Sequence, residues 1–132
     1  MATKHTRRYI KNERSQARAY SPAVITEGGR IVWLAGQTAF EDASGASILG
    51  EFEPQVREVF RHLDLTLREA GGTLASLVTM TVSITDARYG DRFTELRKQI
   101  FGDNFPGSAL ITVAGLAQPG LLVEVQGIAV VD

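Results

Sequence analysis

Apolar positions along the chain follow two rhythms, one of period two and one of period three to four, and they alternate in blocks. "RYI" at 8–10 and "AVITEGGRIVWLAGQ" at 23–37 give short strands, with a turn at Gly28 and Gly29. The unbroken apolar run from Ile31 to Ala35 has the pattern of a strand covered on both faces, which puts Trp33 in the core. "EDASGASILGEF" at 41–52 is small and polar and reads as an exposed loop. From about Glu53 to Ala70, Val56, Phe60, Leu63 and Leu67 form one helical stripe, Pro54 suits the first turn, and Gly71 and Gly72 supply the stop.

"LVTMTVSIT" at 77–85 returns to period two, with Val78, Met80, Val82 and Ile84 set against Thr79, Thr81, Ser83 and Thr85. After Asp86 a second helix carries Tyr89, Phe93, Leu96 and Ile100, and "GDNFPG" ends it. The strands "SALITVAGL" and "LLVEVQGIAVV" close the chain, separated by the turn residues Gln118, Pro119 and Gly120. The order strands, helix, strand, helix, strands predicts an α+β fold: a mainly antiparallel sheet with two helices on one face. Two helices cover one side of a sheet only. The apolar residues of "IVWLA" and "LITVAGL" leave too much for the other side, so a closed homo-oligomer is expected to bury it.

At 132 residues the chain is long enough for one core and too short for two, so residues 1–132 are read as a single domain. With no cysteine, disulfides and thiolate metal sites are excluded, and a reducing compartment fits. The basic start is not followed by an apolar segment, and no run approaches the roughly 18 apolar residues of a membrane span, so a cytoplasmic protein without a membrane partner is expected. Residues 1–18 carry Lys4, Arg7, Arg8, Lys11, Arg14 and Arg18 against Glu13; this segment is read as contributing a solvated first strand with its basic side chains outward rather than a nucleic-acid contact.

The glycines fit no phosphate loop or dinucleotide fingerprint, and there is no zinc spacing or nucleophile elbow, so no cofactor or metal is expected. His62 sits among charged neighbours and reads as a surface histidine. Glu124, isolated within an apolar strand, has two readings. It is either a polar residue that discourages aggregation or a buried acid whose desolvation tunes it for proton transfer.

"AYSPAV" at 19–24, "AGQ" at 35–37, "EFEPQVREVFRHLDLTLREAGGTLASLVTMTVSITD" at 51–86 and "VEVQGIAV" at 123–130 together resemble the Rid family, also called YjgF/YER057c/UK114, over about residues 19–131. The resemblance implies a chorismate-mutase-like subunit, a homotrimer with small-molecule clefts between subunits, and cofactor-independent hydrolysis of imines or enamines such as 2-aminoacrylate. It implies catalytic roles for Glu124 and Tyr20 and places Ser108, Thr94, Gly36, Leu110 and Ala35 around the substrate. "AGQ" replaces the family's "SGQ", so Ala35 offers no hydroxyl, and Thr94 stands where an asparagine is common.

Where deaminating members carry "FPARS", with an arginine that holds the substrate carboxylate, this chain has "FPGSA", and Ser108 takes the arginine's place. Substrate preference is then expected to differ, with Arg18 near Tyr20 a candidate replacement. The alternative is a trimeric small-ligand-binding protein without turnover. Nucleic acid is not the expected partner, because no basic aromatic surface of the kind that holds single strands lines the cleft.

Overall fold

The computed structural model describes residues 4–132; the first three residues of the basic segment lie outside this range. Strands β1 (Thr6–Ile10) and β2 (Ala23–Glu27) form an antiparallel hairpin around the short helix α1 (Glu13–Ala17). Four strands, β3 (Arg30–Gln37), β4 (Leu77–Ile84), β5 (Gly107–Thr112) and β6 (Val123–Val131), make a separate sheet in the order β3-β6-β4-β5. Helices α2 (Phe52–Glu69) and α3 (Gly90–Phe101) pack on it.

The sheet is mixed. β3–β6 and β4–β6 are antiparallel as the pattern predicts, but β5 runs parallel to β4. A parallel pair requires a crossover, and α3 supplies it. The closing strands are therefore not neighbours: β5 ends at Thr112 on one edge, and β6 inserts between β3 and β4.

Both helices bury the stripes read from the sequence. Val56, Phe60, Leu63 and Leu67 of α2 and Phe93 and Leu96 of α3 meet Met80, Val82, Ile84, Val123, Val125 and Ala129 of the sheet. Helix α2 ends in a Schellman motif, with Gly71 at φ 92° and the Gly72 amide donating to Leu67 O at 2.8 Å. Glu53 of α2 accepts from Arg92 of α3 at 2.6 Å, fixing one helix against the other.

The opposite face has no helix. Trp33 is 73% exposed and Ile31 56% exposed, which corrects their placement in a two-sided core. Among the described residues two amphipathic helices cover the sheet, and they share one side. The expected exposed loop is also corrected in part: Ile48 packs into the core, and Gln55 ties the loop down by donating to Ile48 O at 2.9 Å and Gly120 O at 2.8 Å.

The outward-facing reading of the basic segment fails at Arg7. Its guanidinium turns inward and donates to the carbonyls of Ala75, Ser76, Leu77 and Val130 at 2.8 to 3.2 Å, stapling β1 to the ends of β4 and β6. Arg8, on the other side of the strand, is exposed. Among the described residues, no helix is long and apolar enough to cross a membrane.

Candidate functional site

Helix α1 is only five residues long and is held by a capping box in which Asn12 accepts from the Ser15 amide and Ser15 Oγ accepts from the Asn12 amide. The chain then turns sharply. Ala19 is the one non-glycine residue with positive φ among the described residues, at 61°, and the Tyr20 amide donates back to Ser15 O at 3.1 Å. A left-handed alanine is sterically unfavourable, so the surrounding hydrogen bonds must hold it. They do: the Ser21 amide donates to Pro106 O at 3.0 Å and its hydroxyl donates to Phe105 O, binding this corner to the turn that enters β5.

The corner, α3 and the β5 edge enclose a cavity of about 200 Å³ lined by Arg14, Arg18, Tyr20, Thr94, Arg97, Ser108 and Leu110. Ser108 and Leu110 pair with Met80 and Val82 and so project from the helix-covered face, toward α3. Thr94 is buried and donates to Gly90 O at 3.1 Å.

Arg97 is the unexpected member. It is 3% exposed, its Nη1 donates to Ser108 Oγ at 2.6 Å, and its Nη2 donates to Arg18 O at 3.2 Å. Its Nε has no partner among the described residues, and Cζ lies 5.1 Å from the centroid of the Phe93 ring. Burial, reinforced by the charge of Arg18 and opposed by Tyr20, pulls the guanidinium pKa down to about 10. Arg18 itself sits at the rim, where its side chain donates to the exposed Asp91 at 3.1 Å.

The remaining residues singled out in the sequence gather elsewhere. Glu124 pairs with Ser83 across β4–β6, on the open face. The β3 bulge between Leu34 and Gln37 brings Gly36 against it. A Cβ at Gly36 would lie 3.0 Å from Glu124 Cδ and 3.1 Å from Oε2, so glycine makes room for this carboxylate. Ala35 is exposed beside it. Within one chain, then, Tyr20, Thr94, Ser108 and Leu110 share the cavity, while Ala35, Gly36 and Glu124 occupy the opposite side of the sheet.

Sequence reasoning missed Arg97, although a signal was present. Arg97 lies four residues after Phe93 and next to Leu96, within the arc that α3 buries, where an arginine without an acidic partner is unusual.

The family model described as Endoribonuclease L-PSP matches residues 10–131. A RutC family protein from Aquifex aeolicus is 31% identical over 107 residues, covering 81% of this chain and 82% of the relative. One from Pyrococcus abyssi is 27% identical over 110 residues, covering 83% and 84%. Among solved structures, a Rid-family protein of unknown function from Yersinia pestis superposes with a TM-score of 0.83 at 26% identity, covering 95% of this chain and 98% of that one. A YjgF/YER057c/UK114 member from Mycobacterium tuberculosis gives 0.68 at 31% identity, covering 96% and 100%. Sequence and fold agree over nearly the whole length, and the chain belongs to the Rid (YjgF/YER057c/UK114) family.

Proposed function

We propose that this protein is a cofactor-independent imine and enamine hydrolase of small reactive metabolites, working as a homotrimer at clefts completed by a neighbouring subunit. The observation that carries the reading is the division of the site. A cavity with Tyr20 and Ser108 opens at one edge of the sheet, and the carboxylate of Glu124 stands on a face that no helix covers. Setting the open face of one subunit against the cavity of the next buries Trp33 and Ile31 and brings the two halves together.

The chemistry needs one group that moves a proton twice. An enamine first takes a proton at carbon to become the iminium ion, the protonated form of the imine. Glu124 accepts a proton from water as the water oxygen bonds to the iminium carbon, giving a neutral tetrahedral amino alcohol. Returning that proton to nitrogen lets the C–N bond break, releasing ammonia and a keto compound. Tyr20, with a phenol donor at the cavity wall, orients the water or the leaving nitrogen.

Ser108 in place of the family arginine changes how a substrate's anionic group is held. It also favours the second reading, a trimeric ligand-binding protein without turnover. Ammonia release from 2-aminoacrylate, generated in place by a pyridoxal-phosphate lyase, separates the two. Release above background that disappears in Glu124→Gln supports the hydrolase; no release from several imines by a trimer that still binds keto acids leaves the binding reading.

A further inference from the structure

A guanidinium with five N–H donors and a fixed charge is rarely buried without a carboxylate, because desolvation of the ion goes uncompensated. Arg97 is such a case. Its two hydrogen bonds go to a hydroxyl and a carbonyl, its Nε is unpartnered, and the charged groups that share its cavity are the cations Arg14 and Arg18. Among the described residues of the chain itself, no carboxylate lines the cavity. Arg14 makes no ion pair among the described residues, and the partner of Arg18 is Asp91, whose side chain is 87% exposed, a pairing that water weakens. The single carboxylate that the proposed assembly brings up, Glu124 of the neighbouring copy, cannot answer three cations, so the remaining counter-charge comes from what enters the cavity.

We infer that this cavity is a clamp for a small dicarboxylate, with Arg97 and Ser108 holding one carboxylate in its depth and Arg14 and Arg18 holding the second at its rim. The guanidinium that the strand mouth lacks is supplied by helix α3. Ser108 has a positive part in it: having accepted from Nη1, the hydroxyl keeps its own proton to donate to the bound carboxylate. Arg14 and Arg18 stand four residues apart at the end of α1, at a spacing that puts both on one helical face. One anionic group would leave their charges unanswered. Resting on the hydrolase reading, the substrate is then the imine or enamine of a dicarboxylic 2-oxo acid, and the product is the 2-oxo diacid.

Calorimetric titration of the full-length protein with 2-oxoglutarate and with pyruvate tests the clamp without requiring turnover. The wild type should bind 2-oxoglutarate at least tenfold more tightly than pyruvate. Arg97→Met should weaken 2-oxoglutarate by about a hundredfold, as expected for loss of a charge-assisted pair, and Arg97→Lys, which keeps the charge without the fork, should fall between them. Arg14→Gln combined with Arg18→Gln should bring 2-oxoglutarate down to the level of pyruvate. Thermal unfolding of each variant verifies that it is folded. Equal affinity of the wild type for the two acids, or undiminished binding in folded Arg97→Met, overturns the clamp. The expected binding pattern without ammonia release above the spontaneous rate from the imine of 2-oxoglutarate, generated in place by a glutamate oxidase, overturns the hydrolase reading and leaves the clamp standing.

Discussion

Arg97 on α3 donates from Nη1 to Ser108 Oγ on β5 over 2.6 Å, so the serine at the mouth of β5 has an arginine behind it. A strand mouth that carries no basic side chain in the sequence is, in space, backed by a guanidinium from the helix.

This relationship sets the outcome of placing an arginine at position 108. Ser108→Arg would place a second guanidinium against a buried one, with no carboxylate among the described residues of the same chain lining the cavity to separate them. The variant is expected to lose about 2 kcal/mol or more of stability and to gain no affinity for pyruvate. Thermal unfolding and titration read the two effects; a stable variant with tighter pyruvate binding would show that Arg97 does not occupy the carboxylate's place.

Arg97→Met should make the empty protein more stable. Burial that pulls the guanidinium pKa down from its ordinary value to about 10 corresponds to about 3 kcal/mol of penalty on the charged form. Part of that is offset by the hydrogen bonds lost with Arg97, leaving an expected gain of about 1–2 kcal/mol. The sign with pH follows from proton counting. Between about 10 and the ordinary guanidinium value the unfolded chain binds more protons at this residue than the folded one, so the contribution of Arg97 to stability rises with pH through that window. Below it the penalty is full and constant. Chemical denaturation of wild type and variant at pH 7 checks the difference, and a destabilised Arg97→Met would mean that the arginine serves packing rather than binding.

Gln55 completes a third set of bonds by accepting from the Leu122 amide at 2.8 Å while donating to Ile48 O and Gly120 O. One buried side chain thus holds two loops onto α2. Gln55→Leu leaves an amide and two carbonyls without these partners and should cost about 2–4 kcal/mol. Urea denaturation measures the loss, and increased proteolysis within 38–51 should accompany it.

Trp33→Glu tests assembly. The side chain is exposed on the uncovered face and makes no contribution to the core of the subunit, so the substitution should leave the subunit folded. For the proposed trimer, the native mass should fall from three times 14.3 kDa to 14.3 kDa, with ammonia release lost alongside. A variant that stays assembled would place the subunit contact elsewhere on the surface.

The sequence by itself determined the elements, because the stripe Val56, Phe60, Leu63, Leu67 and the alternation Met80, Val82, Ile84 are properties of local periodicity that any burying surface would select. It also determined the family, and the residues Tyr20, Thr94, Ser108, Leu110, Ala35, Gly36 and Glu124 as the ones to examine. Tertiary structure decided how those residues divide. Strand alternation sends Ser108 to the helix side and Glu124 to the open side, and this depends on the register of β5 against β4 and of β6 against β4, which no local pattern encodes. The parallel placement of β5, the inward turn of Arg7, the exposure of Trp33 and the approach of Arg97 to Ser108 share that origin. Each is a contact between segments far apart in the chain, or the lack of one, and an arginine's sequence neighbours do not reveal whether the space it reaches holds water, a carbonyl or an empty place for an anion.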